Sequence, residues 1–223
     1  MNVFVLKSIA LLTMLIDHVA AVFLQEGTSG YLILRSIGRL AFPIYCFLLV
    51  EGYFHTRNKR NYLIRLGIFA FLSEIPFDIC FYQQWIYLEH QNVFFTLFLG
   101  LLTIWVLDLI RSKVVTQNML TRIFPYLWCA AMAFVAWLAH TDYQMMGIFL
   151  ILGFYLYREQ MNHLFLAVFV ICMSFGNLIQ LFALGALLPI AFYNGKKGPS
   201  MRYVFYGFYP IHLLVLALLQ SSL

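Results

Sequence analysis

Residues 93–110 read VFFTLFLGLLTIWVLDLI, an apolar run of 18 residues that carries a single charge, Asp108. An α-helix needs about 20 predominantly apolar residues to cross the hydrocarbon core of a bilayer. A run of this length is too long for a typical strand and too apolar for the surface helix of a soluble domain. The stretch therefore predicts a membrane-spanning helix.

Eight more runs of the same kind occupy most of the chain, and the connections between them are short. Together they predict an all-α, polytopic integral membrane helix bundle with about nine transmembrane helices, which forms a single transmembrane domain over residues 1–223. The nine predicted spans are 8–24, 31–53, 62–80, 93–110, 123–139, 144–157, 162–176, 178–193 and 203–220.

The composition excludes a soluble domain. Of the 223 residues, 63% are hydrophobic and 10% are charged, whereas soluble domains have about 45–50% apolar and about 25% charged residues. The formal charge of +5 could suggest nucleic-acid binding, but the basic residues fall in short connections between apolar runs rather than along one face. We therefore expect membrane lipid, and no nucleic acid, as a partner.

Alternate connections hold the positive charge, which predicts how the chain lies in the membrane. By the positive-inside rule the basic connections face the cytoplasm, so the amino terminus is cytoplasmic and, after nine spans, the carboxyl terminus is extracytoplasmic. The residues predicted to lie on the cytoplasmic side are 12 of the 14 Lys and Arg: Lys7, Arg57, Lys59, Arg60, Arg65, Arg111, Lys113, Arg122, Arg158, Lys196, Lys197 and Arg202.

The two remaining basic residues, Arg35 and Arg39, lie inside the second predicted span. Glu74 and Asp78 lie inside the third with the same spacing of four, so each pair shares one face of its helix. An unpaired charge at mid-membrane costs about 2.5–3.5 kcal/mol on insertion scales. Antiparallel packing predicts Arg39 against Glu74 and Arg35 against Asp78. Such pairs could also serve helix packing alone.

Two histidines are expected at similar depth. Asp17 and His18 lie near the middle of the membrane in the first span and point about 100° apart, so they cannot pair with each other. We expect one of them to face the arginines and the other to face a water-filled cavity. In the ninth span His212 shares a face with Tyr209, and Pro210 between them loosens the helix. A histidine that only hydrogen-bonds a backbone carbonyl is the alternative interpretation.

A second polar group lies near the cytoplasmic end of the second span and at the start of the third. Basic side chains there favour a phosphate-rich ligand, and orientation of the chain in the membrane is the alternative explanation for them. The group comprises Glu51, His55, Arg57, Asn58, Lys59, Arg60 and Arg65.

Common catalytic and metal motifs do not occur in the sequence, which has no Walker loop, dinucleotide fingerprint, zinc motif or nucleophile elbow. The four cysteines lie within apolar stretches and lack Cys-x-x-Cys spacing. We interpret them as buried thiols and expect no metal.

Several segments that contain the charged residues resemble a known family. They are KSIALLTMLIDH at 7–18, RSIGRLAFPIY at 35–45, LLVEGYFHTRN at 48–58, YLIRLGIFAFLSEIPFD at 62–78, QNVFFTL at 91–97 and YGFYPIH at 206–212. With these segments the chain resembles the TraX family of bacterial membrane proteins, whose namesake is associated with amino-terminal acetylation of a conjugative pilin. The family is in turn distantly similar to multi-span membrane acyltransferases that modify cell-surface sugars.

The resemblance implies a membrane-bound O- or N-acetyltransferase in the bacterial plasma (inner) membrane. Its donor substrate would be cytoplasmic acetyl-CoA or another acyl-CoA, and its acceptor an extracytoplasmic hydroxyl or amine of a glycan or peptide. His18 matches the histidine that is important in the first helix of the similar acyltransferases.

Each group in the implied reaction then has a predicted role. His18 takes the acceptor proton, oriented by Asp17 or Glu74, and Arg35 or Arg39 stabilises the oxyanion. The expected catalytic residues are His18, Asp17, Arg35, Arg39, Glu74 and His212. The expected CoA-binding residues are Glu51, His55, Arg57, Asn58, Lys59, Arg60 and Arg65, and the expected acceptor-binding residues are Asp78, Asn92, Thr96 and Tyr209.

Two other functional classes remain open from the sequence. A proton-coupled transporter would also use acidic residues and histidines at mid-membrane, although these helices lack the repeated halves of many transporters. A non-catalytic membrane assembly factor would use the same charges only for helix association.

Overall fold

The computed structural model describes residues 1–113, 119–199 and 202–222, without the side chains of residues 113, 119–121, 202 and 203. Lys113 and Arg202, which belong to the predicted cytoplasmic charges, therefore have side chains outside this description. Within the described residues the regular structure is helical, apart from one isolated β-bridge between Gln91 and Thr141. The prediction of an all-α fold is confirmed.

Most described helices follow the predicted spans closely, but the predicted span 178–193 forms a 3₁₀ helix followed by a five-residue α-helix. The described helices are α1 (Val3–Phe23), α2 (Ser29–Gly38), α3 (Ala41–His55), α4 (Lys59–Tyr82), α5 (Val93–Lys113), α6 (Met119–Leu138), α7 (Gln144–Tyr157), α8 (Met161–Phe175), a 3₁₀ helix (Leu178–Ala186), α9 (Leu187–Ala191) and α10 (Arg202–Ser221).

Polar side chains fix where some helices begin. The side chain of Asn2 accepts a hydrogen bond from the backbone N–H of Val5 at 3.0 Å, at the start of α1. Asn58 does the same for Asn61 at 2.9 Å, at the start of α4. These caps satisfy backbone donors that have no partner in the first helical turn. Asn58, expected to bind CoA, thus has a structural role.

The second predicted span is interrupted. The sequence predicts one helix over 31–53, whereas α2 ends at Gly38 and α3 begins at Ala41. Pro43 explains the break, because it has no backbone N–H and its ring clashes with the carbonyl of the residue four positions earlier, which is Arg39. The prediction of a continuous helix is wrong for this reason.

Backbone contacts define the two ends of the bundle. At one end the backbone N–H of Asn194 donates to the carbonyl of Met1 at 2.9 Å. At the other end the backbone N–H of Asp142 donates to the carbonyl of Gln91, also at 2.9 Å. We call these the amino-terminal end and the opposite end.

Further contacts place basic connections at the amino-terminal end. Arg158, which follows α7, contacts Glu51 near the end of α3, and Tyr193 lies near the same glutamate. Lys59, at the start of α4, contacts Asp108 near the end of α5. The described basic connections therefore share one end of the molecule, in agreement with the alternation of charge along the sequence.

Four segments of the described chain are long and apolar enough to cross a membrane. They are Val3–Phe23, Ser29–His55, Val93–Ser112 and Val204–Ser221. Helices α7 and α8 have 14 and 15 residues, and at 1.5 Å per residue they would span about 21–23 Å, which is shorter than the hydrocarbon core. The segments indicate a membrane protein, and the number of nine spans and their orientation stay predictions.

Burial separates a central helix from outer ones. Most of the 15 residues of α3 are buried, including Phe42, Ile44 and Tyr53. Helices α6 and α8 instead expose large apolar side chains such as Phe134 and Phe165. Such faces would be unfavourable in water and match the apolar interior of a bilayer.

Candidate functional site

An ion-pair cluster joins α1 to the end of α2. Nη1 of Arg35 donates to Oδ2 of Asp17, and Nη2 of Arg39 lies 2.7 Å from Oδ1 and 2.9 Å from Oδ2 of the same carboxylate. The Asp17 side chain is only 10% exposed. Two positive groups thus share one negative group, which leaves a net charge of +1. We call Asp17, Arg35 and Arg39 the arginine cluster.

Gly38 makes room for this cluster. A Cβ atom at Gly38 would overlap Oδ1, Cβ and Cγ of Asp17. Real Cβ atoms do not approach other atoms so closely, so a side chain here would displace the carboxylate. The spacing of Arg35, Gly38 and Arg39 therefore places two donors and a gap on the face of α2 that meets Asp17.

The predicted pairs Arg39–Glu74 and Arg35–Asp78 are wrong, because both arginines contact Asp17. Helix α2 packs on α1, whereas α4 packs on α5 and α10. Helical spacing decides which residues share a face, but it does not decide which helix that face meets.

Glu74 and Asp78 instead hold the connection between α4 and α5. Oε2 of Glu74 accepts hydrogen bonds from the backbone N–H of Asn92 at 3.2 Å and from the Asn92 side chain. Oδ2 of Asp78 accepts from the backbone N–H of Tyr87 at 2.8 Å. Asn92, expected to bind the acceptor, is fully buried and also donates to the carbonyl of Ala70 at 2.7 Å.

Two histidines meet between α1 and α10. Nδ1 of His18 lies 2.7 Å from Nε2 of His212, and the two ring planes differ by 7°. Nδ1 of His212 lies 2.8 Å from the carbonyl oxygen of Phe208, one turn earlier on α10. His18 lies 15 residues after Val3, the first residue of α1, which corresponds to about 22 Å along the helix axis.

This chain of contacts fixes the tautomer of both neutral rings. A carbonyl can only accept, so Nδ1 of His212 carries the hydrogen and Nε2 of His212 has the free lone pair. That lone pair accepts from Nδ1–H of His18, which leaves Nε2 of His18 unprotonated. His18 therefore presents a basic nitrogen on the side of its ring that faces away from His212.

The surroundings of His18 differ in part from the prediction. Asp17 faces the arginines and His18 faces elsewhere, which confirms the expected separation of the two side chains. The partner that orients His18 is His212, not Asp17 or Glu74. Tyr209, expected to bind the acceptor, is buried, and its ring packs edge-on against His18 at 6.1 Å.

A cavity of about 530 Å³ opens at the opposite end, between α2, the start of α7 and the 3₁₀ helix. Arg35 and Arg39 form part of its wall, so the arginine cluster is reached from this side. The lining residues are Glu26, Gly27, Tyr31, Arg35, Arg39, Asp142, Tyr143, Met146, Phe175, Gly176, Asn177, Ile179 and Gln180. We call this cavity the outer pocket.

The connection before α7 shapes one side of the outer pocket. The ring of Tyr143 stacks on Phe42 with centroids 3.8 Å apart and lies 5.8 Å from the guanidinium of Arg39. The side chain of Thr96, expected to bind the acceptor, is buried and donates to the backbone carbonyl of Asp142. Thr96 thus holds this connection in place.

The carboxylate of Asp142 also faces His90 in the connection between α4 and α5. Its Oδ1 lies 3.7 Å from Nε2 of His90. This contact raises the pKa of His90, which lies outside the membrane-spanning segments. The two connections at the opposite end are therefore joined by a pair that is strongest when His90 is charged.

Most of the predicted CoA-binding residues at the amino-terminal end already have partners. Nε of Arg158 lies 2.5 Å from Oε1 of Glu51, which is buried. Nδ1 of His55 donates to the backbone carbonyl of Glu51 at 2.8 Å, and the His55 ring is 61% exposed. Glu51 is a negative group paired with an arginine, so it does not fit a direct contact with phosphate.

Lys59 belongs to a separate network at the same end. Its Nζ lies 3.0 Å from Oδ2 of Asp108 and 2.7 Å from the hydroxyl oxygen of Tyr53. Arg65 is half-buried, with its guanidinium 5.6 Å from the Tyr62 ring. Arg57 and Arg60 are exposed, so they fit a solvent-borne phosphate group best.

Sequence reasoning missed three residues of these sites. The signal for Asp108 is that it is the single charge of an apolar run, which requires a polar or basic partner. Asp142 and Gln180 have weaker signals, because polar residues near helix ends are common. Only their meeting in the outer pocket distinguishes them.

Nearly the whole chain is similar to known protein sequences. The family model described as "TraX protein" matches residues 3–220. The chain is also 35% identical, over 241 aligned positions, to the "Probable fimbrial assembly protein FimC, serogroup H1" of Dichelobacter nodosus, with 96% of this chain and 94% of that protein covered. No solved structure matches the chain significantly.

Proposed function

The chain belongs to the TraX family, and on this premise we propose that it is an acyltransferase embedded in the bacterial plasma membrane. It would move an acetyl or other acyl group from cytoplasmic acyl-CoA to an extracytoplasmic hydroxyl or amine. The observation that supports this most is the pair of His18 and His212 at 2.7 Å, with His18 directly after Asp17 on α1, the residue that both Arg35 and Arg39 contact. A base and a cationic group are what acyl transfer requires.

In the proposed reaction Nε2 of His18 removes the proton of the acceptor while the acceptor oxygen or nitrogen attacks the thioester carbonyl carbon. The hydrogen bond from Nδ1 of His18 to Nε2 of His212 stabilises the positive charge that His18 gains. The tetrahedral intermediate then breaks its carbon–sulfur bond, and the CoA thiolate takes the proton from His18. The protein returns to its starting state.

The arginine cluster would stabilise the oxyanion of the intermediate. A guanidinium has five N–H donors, and Asp17 uses only some of those of Arg35 and Arg39. Asp17 keeps both arginines in place without neutralising them fully, because the cluster has one more positive than negative charge. Fixed positive charge in a site shielded from water is effective in this role.

The donor would bind at the amino-terminal end. We propose that exposed Arg57 and Arg60 contact the phosphates of CoA, because these side chains are accessible there. Lys59 and Glu51 are paired with Asp108 and Arg158, so we assign them to holding the connection between α3 and α4. This orientation corresponds to nine spans with a cytoplasmic amino terminus.

The acceptor would enter through the outer pocket. The matching protein of Dichelobacter nodosus is named for fimbrial assembly. We therefore propose that the acceptor is a glycan or peptide of a surface fibre or of the machinery that assembles it.

Replacing the proposed base tests the reaction directly. We expect His18→Ala to lower transfer of label from acetyl-CoA by at least about 100-fold, because general-base catalysis contributes about 10²–10⁴-fold. The measurement is labelled product formed by purified protein in lipid vesicles, at equal amounts of inserted protein. His163→Ala is the control, because His163 is exposed at the amino-terminal end, away from His18. Full turnover by the His18 variant would remove His18 from the mechanism.

A non-catalytic assembly factor is the second candidate, favoured by the name of the fimbrial relative. In that case the charged residues would serve helix association alone. The same purified protein separates the candidates, because only the acyltransferase consumes the thioester. Loss of fibre assembly in cells that produce His18→Ala, without thioester consumption by the native chain, would favour the assembly factor.

A further inference from the structure

We propose that the floor of the outer pocket binds an oxyanion, namely a carboxylate or phosphate group of the acceptor. This proposal rests on the acyltransferase function proposed above, because it assigns a chemical class to the acceptor of that same site. It is carried by one unpartnered donor and by the guanidinium groups of the pocket wall.

Gln180 provides the donor. The residue is 5% exposed and lines the outer pocket from the 3₁₀ helix. Within the described part of the chain its Nε2 has no hydrogen-bond partner. Buried polar groups are nearly always hydrogen-bonded, so an unpaired buried N–H group beside a cavity is a donor available to an acceptor atom of a ligand.

The neighbouring wall holds further donors. Arg35 and Arg39 line the same pocket, and their two positive charges are balanced by Asp17, Glu26 and Asp142, so the wall offers guanidinium N–H groups rather than a net positive charge. The side chains of the two arginines are 24% and 15% exposed, so their remaining N–H groups are accessible from the cavity. Guanidinium groups and an amide N–H₂ together match the lone pairs of a carboxylate or phosphate.

The acidic residues of the pocket are more exposed than Gln180 and the arginines and have their own partners. Glu26 is exposed and accepts a hydrogen bond from the hydroxyl of Tyr31 at 3.3 Å. Asp142 faces His90 at 3.7 Å. The more buried part of the lining therefore presents donors, whereas the more exposed part presents acceptors that suit hydroxyl groups.

The oxyanion has two potential sources, a soluble acceptor or the headgroup of an anionic lipid beside the pocket. Both present the same oxygen atoms to Gln180 and the arginines. Experiments in two lipid compositions distinguish them.

The test uses the purified full chain in phosphatidylcholine nanodiscs, with inorganic phosphate as the probe and chloride at the same ionic strength as the comparison. We expect phosphate to raise the melting temperature in a saturable way. In Gln180→Met, which keeps the side-chain volume, the apparent dissociation constant for phosphate should rise about tenfold. Gln84→Leu, at an exposed glutamine of the same end, is the control and should behave as the native chain.

A second variant covers the case in which Gln180→Met does not unfold cooperatively. Gln180→Glu places a negative charge at the floor and should abolish the phosphate effect. The proposal would be overturned if phosphate raised the melting temperatures of the native chain and both variants equally. It would also be overturned if phosphate and chloride gave the same melting temperature in both lipids. If the native chain is stabilised over Gln180→Met only in phosphatidylglycerol nanodiscs, the oxyanion comes from the lipid headgroup.

Binding and turnover are measured separately, so the two proposals can fail independently. His18→Ala should bind phosphate like the native chain, because His18 does not line the pocket. Phosphate binding that depends on Gln180, together with no thioester consumption by the native chain, would reject the acyltransferase and keep the anion site. Thioester consumption by the native chain, together with phosphate binding that does not depend on Gln180, would reject the anion site and keep the acyltransferase.

Discussion

The position of the Asp17 carboxylate depends on the missing side chain of Gly38. We predict that Gly38→Ala lowers acyl transfer by on the order of 100-fold, because displacement of a catalytic group by about 1 Å has effects of this size. A Cβ atom at this position would overlap Asp17, and both arginines would move with their shared partner. The measurement is transfer of label from acetyl-CoA by purified protein.

A matched control lies on the same helix. The nearest atom to a Cβ at Gly30 would be Cδ1 of Leu24 at 3.8 Å, an ordinary contact. Gly30→Ala should therefore leave acyl transfer unchanged when the two variants are compared at equal protein levels. Equal activity of Gly30→Ala and Gly38→Ala would contradict the role assigned to the arginine cluster.

The attachment of the connection between α4 and α5 depends on pH. Asp78 and Glu74 accept hydrogen bonds from its backbone, and His90 within it faces Asp142 in the connection before α7. Asp142 raises the pKa of His90 most, by the close approach of its negative charge, and Glu74 and Asp78 raise it further. Protonation of the His90 imidazole therefore strengthens the contact between the α4–α5 connection and the connection before α7.

We predict that His90 stabilises the protein at low pH and loses this effect as the pH rises. Its pKa is raised by folding, so its contribution is fully present below the unfolded value of about 6.5 and disappears above the raised value. The difference in melting temperature between the native chain and His90→Gln should shrink as the pH rises above about 6.5. The effect is modest, because the His90 side chain is 39% exposed.

His163→Gln is the control for the pH series, because the His163 ring stacks on Tyr157 at the amino-terminal end. The difference in melting temperature between His163→Gln and the native chain should not shrink with rising pH as it does for His90→Gln. A constant difference for His90→Gln across the pH range would show that the pair with Asp142 does not contribute.

The break between α2 and α3 is a second feature of element scale. Pro43 interrupts the helix at Arg39 and Leu40, so Arg39, directly after α2, lies beside Asp17 instead of continuing a straight span. The sequence contained the cause, because a proline removes the hydrogen bond to the residue four positions earlier. Hydropathy ignores that effect, since it counts apolar residues and not backbone donors.

At the scale of the whole molecule, the two ends should lie on different sides of the membrane. Gln84 is exposed at the opposite end, and Gln160 is exposed between α7 and α8 at the amino-terminal end. We predict that a membrane-impermeant maleimide labels Gln84→Cys in intact cells and labels Gln160→Cys only after the membrane is opened. The reason is the concentration of basic residues at the amino-terminal end, which retains that end in the cytoplasm.

The labelling needs a background without reactive native thiols. Cys46, Cys80 and Cys172 are buried, and Cys129 is half-buried, so Cys129→Ser is the suitable parent chain. Labelling of Gln160→Cys in intact cells, with Gln84→Cys protected, would reverse the orientation. Labelling of both positions from one side would refute an odd number of spans between them.

Much of the fold could be predicted because lipid imposes simple rules. Apolar runs of sufficient length form helices, since every backbone N–H and C=O must be paired inside the membrane. The apolar runs match the helices to within a few residues at most positions, as for α5 and α7. The resemblance to the TraX family, based on the segments around the charges, is confirmed.

The sequence by itself determined the all-α class, the alternation of basic connections, and the list of polar groups that had to find partners in the membrane. Only the tertiary structure decided the partners: Asp17 for both arginines, His212 for His18, and Asn92 for Glu74. The physical reason is that helical periodicity and hydropathy determine which residues share a face of a single helix. Pairing between side chains depends on which helices pack together and on how each helix is rotated about its axis.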